Sequence, residues 1–162
     1  MSYGDLVPGV DTDALLRAVA VVETQGGRNN WPRVEKSYIP AGQTFTVQGH
    51  LISGTGSNVN AIVRPRWERW GLGSAASWGW WQILYHTAAD MGYLGPPHDL
   101  FASGVSEPFV VARLRKIAMT GAKTVRDFAD AWNSGNWRDQ NDVPEYTKAV
   151  ALAYEREIAG HA

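Results

Sequence analysis

The sequence predicts an α+β fold that is mostly helical, in one domain spanning residues 1–162 with an inserted β-hairpin at about 43–67. Three observations lead there. Apolar residues recur at helical spacing in five separate stretches. A stretch between the first two, residues 32–76, is instead rich in β-branched residues and turn formers. A length of 162 residues suits a single hydrophobic core.

The first helix follows the turn "PGVD" (8–11), with Asp11 or Thr12 as its N-cap. Leu16, Val19, Ala20 and Glu23 stand at i, i+3, i+4 and i+7, on one face, and "GG" (26–27) supplies a left-handed end. "QTFTVQGHLI" (43–52) and "NAIVRPRW" (60–67) read as the two hairpin strands, joined through "SGTGSN" (53–58). Pro65 and its flanking arginines suit an edge strand. Helical spacing returns from Trp80, with Trp81, Leu84, Ala88 and Met91 as a stripe that Gly92 stops. Ser106 with Pro108 just inside predicts the start of a further helix, faced by Val110, Leu114 and Ile117 and ended by Gly121. Thr124 and Asp127 form a capping box for 125–133, with Val125, Phe128, Ala129 and Trp132 turned inward. Pro144 opens the last helix, which carries Tyr146, Val150, Ala153 and Tyr154.

Composition removes several classes of function. Hydrophobic residues at 44% and charged residues at 19% argue against disorder. A net charge of −1 gives no electrostatic reason to expect nucleic acid as a partner. With no cysteine, disulfides, thiolate metal sites and cysteine nucleophiles are out. No apolar run approaches the roughly 20 residues of a membrane span. The four histidines, at 50, 86, 98 and 161, lack metal-binding spacing, so no metal and no cofactor is expected. Neither G-x-S-x-G nor a phosphate-binding glycine loop is present. Eight tryptophans are the outlier; some belong to the core, but indole rings also stack on sugars and other flat apolar faces.

Carboxylate chemistry remains. Glu23 closes an apolar stripe beside the negative end of a helix, where a carboxyl group is expected to hold its proton. "AVVETQGG" (20–27), "SWGWWQI" (77–83) and "DAWNSG" (130–135) each place a polar group beside small or aromatic residues. Taken in this order they resemble the lytic transglycosylase domain of the goose-type lysozyme superfamily, including its phage endolysin-like members. That family shows a catalytic glutamate followed by serine, then G-L-M-Q-I, then A-Y-N-[AS]-G, then a tyrosine at the start of a C-terminal helix. Here Glu23-Thr24, Gly79-Trp80-Trp81-Gln82-Ile83, Ala131-Trp132-Asn133-Ser134-Gly135 and Pro144-Glu145-Tyr146 correspond, from about residue 12 to 156. The chain departs from the pattern with threonine for serine at 24, tryptophans at 80 and 81, and tryptophan for tyrosine at 132. The stretch 32–76 is longer than the usual link, which resembles members that insert a hairpin there.

The resemblance implies a lysozyme-like fold and cleavage of the β-1,4 bond between N-acetylmuramic acid and N-acetylglucosamine in peptidoglycan. Glu23 would be the acid and base, with Thr24, Trp80, Gln82, Trp132, Asn133 and Tyr146 around the substrate. A transglycosylase needs one carboxylate and leaves 1,6-anhydro ends. A hydrolytic muramidase of the same fold needs a second, for which Glu35, Glu68, Asp90 and Asp130 are candidates and Glu68 the foremost. A glycan-binding virion module without turnover is the alternative from another class. The expected partner is the glycan strand, with the protein a monomer. Lacking a signal peptide, the protein is expected in the cytoplasm, reaching the wall by holin release or as part of a virion.

Overall fold

The computed structural model describes residues 2–138 and 144–160. The fold is α+β and mostly helical, as expected. Its helices are α1 (Thr12–Thr24), α2 (Val63–Trp70), α3 (Tyr85–Asp90), α4 (Ser103–Met119), α5 (Val125–Ser134) and α6 (Pro144–Gly160). Among the described residues the strands are short and fall into three small antiparallel sheets. β1 (Asp5–Val7) pairs with β2 (Val10–Asp11), and β4 (Thr44–Val47) with β5 (His50–Ser53). The third sheet has the order β3 (Arg33–Val34), β6 (Ala76–Trp78), β7 (Ile83–Leu84). None of the described helices is long and apolar enough to cross a membrane.

The core lies between α1, α4, α5 and α6. Leu15, Val19, Val110, Leu114, Phe128 and Val150 are fully buried there, and Trp81 and Ile83 close it from the sheet side. Its helices end as their sequences dictate. Asp11 caps α1 by accepting from the Ala14 N–H at 2.6 Å. The capping box of α5 is complete, with the Asp127 N–H donating to Thr124 Oγ1 and the Thr124 N–H donating to Asp127 Oδ2. α1 stops one residue earlier than the paired glycines suggest. Gln25 itself adopts φ 54°, and its N–H bonds back to the carbonyls of Ala20 and Val21. α4 begins at Ser103 rather than Ser106, so Pro108 falls inside it, and buried Ser106 turns its hydroxyl back on the Ala102 carbonyl.

Two elements differ from the sequence reading. The hairpin is confined to 44–53 and turns at Gln48-Gly49, both with positive φ (49° and 81°), the geometry of a two-residue type I′ turn. Residues 60–67 therefore do not form its second strand. They enter α2, where the Asn60 side chain accepts from the N–H groups of Ile62 and Val63. Pro65 sits in the first turn, where its missing N–H costs nothing. Trp67 meets Phe45 edge to face, 5.9 Å between centroids, and so docks α2 on the hairpin.

The second difference lies at Trp80–Leu84, which is not helical. Gly79 (φ 71°) and Gln82 (φ 48°) form a tight turn between β6 and β7, and the helix starts only at Tyr85. A Cβ at Gly79 would run into the carbonyl oxygen of Leu100, so only glycine fits there.

Candidate active site

Helix α1 delivers Glu23 into a cleft of about 670 Å³. One wall is helical. It carries Glu23 at the end of α1, Trp132 and Asn133 at the end of α5, and Thr87 and Arg113 from α3 and α4. The other wall is the β3–β6–β7 sheet and the turns around it, contributing Arg33, Glu35, Tyr38, Asn58 and Gln82. Strand pairing aligns Arg33 with Ser77 and Ser77 with Leu84. Directly opposed residues share a face, and all three of these line the cleft.

The Glu23 side chain is only 5% exposed. Its Oε1 accepts from the Tyr146 hydroxyl at 2.8 Å and its Oε2 from Arg33 Nη2 at 2.7 Å. Packing of α6 along α1 brings Tyr146 there. Burial, and then the negative charge of Glu23, push the Tyr146 phenol above its ordinary pKa, so it acts as a donor. Arg33 is held in turn, because its Nε donates to Gln82 Oε1 at 3.0 Å. Gln82 Nε2 donates to the Gly79 carbonyl at 2.9 Å, which fixes the amide within its own turn. The buried amide thus serves protein partners on both sides: it orients the guanidinium that holds the carboxylate. A chain of contacts runs Gly79–Gln82–Arg33–Glu23–Tyr146.

This corrects the surroundings expected for Glu23. The sequence reading placed the carboxyl in an apolar pocket, whereas its immediate neighbours are a guanidinium and a phenol. The apolar stripe of α1 ends in the core at Ala20, and the residue one turn on faces the cleft instead.

Four of the residues expected at the site meet Glu23 in this cleft or at its base: Gln82, Trp132, Asn133 and Tyr146. Three do not act as expected. Thr24 is 1% exposed and is bound entirely to backbone. Its hydroxyl lies 3.0 Å from the Ala20 carbonyl and 2.8 Å from that of Trp80, and it accepts from the Gly27 N–H at 2.9 Å. It joins the end of α1 to the Gly79–Gln82 turn and is closed to a ligand. Trp80 is half-exposed but lies against Gly27 and lines a separate hollow with Leu16, Val21 and Trp81, away from Glu23. Glu68 is exposed on α2 and does not line the cleft, because the segment that bears it is a helix and not a strand arching over the groove. Of the other carboxylates considered, Asp90 pairs with Arg66 at 2.9 Å, Asp130 is buried in α5, and Glu35 alone lines the cleft.

Sequence reasoning missed Arg33, Tyr38 and Arg113. The signal for Arg33 was its period-2 relation to Glu35 in "RVE", too short to read as a strand. Tyr38 lines the cleft with its ring stacked on His86, 4.7 Å between centroids and 19° between planes. His86 is buried, and its Nε2 has no hydrogen-bond partner among the described residues. Burial, with the charge of Arg66 assisting, lowers its pKa to about 4, so the ring is neutral at pH 7. Among the described residues no cluster of histidine and carboxylate side chains could hold a metal ion.

Comparison of the chain with protein-family models, with curated proteins and with solved structures found no match.

Proposed function

We propose that this protein cleaves the glycan strands of peptidoglycan as a lytic transglycosylase, with Glu23 as acid and then base. The observation that supports the reading most is convergence. Glu23, Gln82, Asn133 and Trp132 come from three separated stretches of sequence and line one cleft, with Tyr146 from a fourth bonded to Glu23. The cleft combines a withdrawn carboxylate, the exposed Asn133 amide for hydroxyl and N-acetyl oxygens, and an indole for the apolar face of a sugar.

The chemistry needs one carboxyl group. Glu23 gives a proton to the glycosidic oxygen as the C1–O bond breaks and positive charge develops on the muramyl ring. The resulting carboxylate takes the proton of the C6 hydroxyl on the same residue. The C6 oxygen bonds C1, giving a 1,6-anhydro end, and no water is consumed. Arg33 is the solvent-facing member of the resting contact, with its side chain 58% exposed. An entering glycan can draw the guanidinium onto its own oxygens and leave the carboxyl free to take up and deliver the proton.

A second reading is favoured by Glu35, which stands on the sheet wall of the same cleft. A carboxylate there could activate water, giving a hydrolytic muramidase. Mass spectra of digested peptidoglycan separate the two. Anhydro-muramyl ends, lighter by one water, are expected; reducing ends that disappear with Glu35→Gln would replace the first reading by the second. Glu23→Gln is expected to lower the cleavage rate about 10³-fold, within the range for loss of a general acid. Equal clearing by wild type and Glu23→Gln would remove Glu23 from the chemistry.

A further inference from the structure

The cleft holds two guanidinium groups, and they are not equivalent. Arg33 is exposed and spends its donors on Glu23 and Gln82. Arg113 projects from α4, beside buried Leu114, and is half-buried in the cleft with Thr87, Trp132 and Asn133. Among the described residues no hydrogen bond or ion pair engages it. The anion whose charge reaches it is Asp90, and that carboxylate is bonded to Arg66 at 2.9 Å. Burial lowers the pKa of Arg113, an effect the Asp90 charge opposes without cancelling. An arginine still keeps its proton at neutral pH, so the cleft contains a partly desolvated cation whose five donors no described residue engages.

Withdrawing a charge from water is costly unless a counter-charge meets it. Among the described residues the other anions of the cleft do not meet it. Glu23 is taken by Arg33 and Tyr146, and Glu35 is exposed on the opposite wall. A guanidinium fork is shaped for a carboxylate, which it binds through two parallel N–H···O bonds. We propose that Arg113 is the subsite for a carboxylate carried by the muramyl residue of the glycan, and that it makes the cleft prefer muramyl glycans over neutral polymers of N-acetylglucosamine. The inference rests on the glycan-cleavage reading and deepens it, since it names the substituent that distinguishes the substrate. Two carboxylates have this chemistry: that of the bare lactyl ether, and the free α-carboxylates of an attached stem peptide. Arg113 touches the substituent and takes no part in bond cleavage.

The test is calorimetric titration of the Glu23→Gln protein, which leaves the glycan intact, with and without Arg113→Gln. The probes are chitotetraose, a muroglycan tetrasaccharide with free lactyl carboxylates, and the same tetrasaccharide bearing L-Ala-D-Glu. With Arg113 present, at least one muroglycan is expected to bind ten- to a hundredfold more tightly than chitotetraose, and raising the salt concentration should narrow the gap. Tighter binding of the bare muroglycan assigns the lactyl carboxylate, and tighter binding of the peptide form assigns the stem. Arg113→Gln should remove the preference and leave chitotetraose binding within about twofold. Arg113→Lys, which keeps the charge and loses the fork, should retain part of it. A preference that survives Arg113→Gln, or an equal loss for all three probes, overturns the proposal and leaves glycan cleavage standing. Failure of every probe to bind the protein that retains Arg113 overturns both.

Discussion

The two walls of the cleft are built differently and contribute differently. The helical wall is built chiefly from α1 and α5, both capped by side chains and continuous with the core, which end in Glu23 and in Trp132 and Asn133, with Tyr146 reaching Glu23 from the start of α6. The sheet wall is made of strands of two or three residues and the turns between them. Its residue Arg33 bonds Glu23 directly, and Gln82 acts on Glu23 through Arg33. Helical burial thus places the reactive group, and the sheet wall sets what that group touches at rest. The sheet wall should therefore be the more easily disturbed, through a handful of backbone positions, while loss of one helical side chain should cost activity with the fold intact.

The largest structural effect is expected at Gly79. An alanine there meets the Leu100 carbonyl oxygen and must also hold a φ of 71°. A backbone collision combined with left-handed strain should cost about 3 kcal/mol or more. It would loosen the turn that fixes Gln82 and hence Arg33. Urea denaturation measures this, and a loss below about 1 kcal/mol would mean that the sheet wall yields without consequence.

Next comes His86 on α3, whose ring stacks on Tyr38 of the sheet wall. The folded state binds its proton only near pH 4, whereas an unfolded histidine does so near 6.5. Above pH 6.5 both states are neutral and the stability is whole. As pH falls from 6.5 to 4 the unfolded chain takes up a proton that the folded chain refuses, and stability drops. The shift corresponds to about 3 kcal/mol across that window. Carboxylates titrate there too, so the measurement is a difference: His86→Phe keeps a ring against Tyr38 and should show a shallower loss of urea midpoint between pH 6.5 and 4. Parallel curves would show that His86 is not the group that makes this wall acid-sensitive.

The same contrast explains what the sequence made legible. Periodicity and caps located the helical wall, because Leu16, Val19 and Ala20 repeat at helical spacing and Thr124 with Asp127 form a box that only a helix start uses. Glu23, Trp132, Asn133 and Tyr146 were read at the site on their order along the chain. Gln82 apart, which was read at the site from its motif, the sheet wall was illegible for a local reason. Two-residue strands carry no alternation to count, so Arg33 and Glu35 gave no pattern. "NAIVRPRW" has strand-like composition, yet the Asn60 cap and a proline in the first turn make it a helix. Thr24 and Trp80 were misread for the complementary reason. Position along the chain indicates proximity to Glu23, but a hydroxyl bonded to two carbonyls and an N–H has no capacity left for a ligand.

The smallest effect, and the one that tests the helical wall alone, is expected at Tyr146. Its hydroxyl bonds Glu23 Oε1 at 2.8 Å, and its ring packs against the core. Tyr146→Phe keeps the ring and removes the donor. A hydrogen bond to a charged group is worth roughly 1.5–3 kcal/mol, less where water can enter in its place. The cleft is open to water, so about a tenfold fall in kcat on peptidoglycan is expected, with KM and the urea midpoint close to wild type. The ring still holds α6 against α1, so a lost midpoint would show that the hydroxyl braces the fold more than it aims the carboxyl. Unchanged kcat would leave Arg33, and so the sheet wall, as the group that positions Glu23.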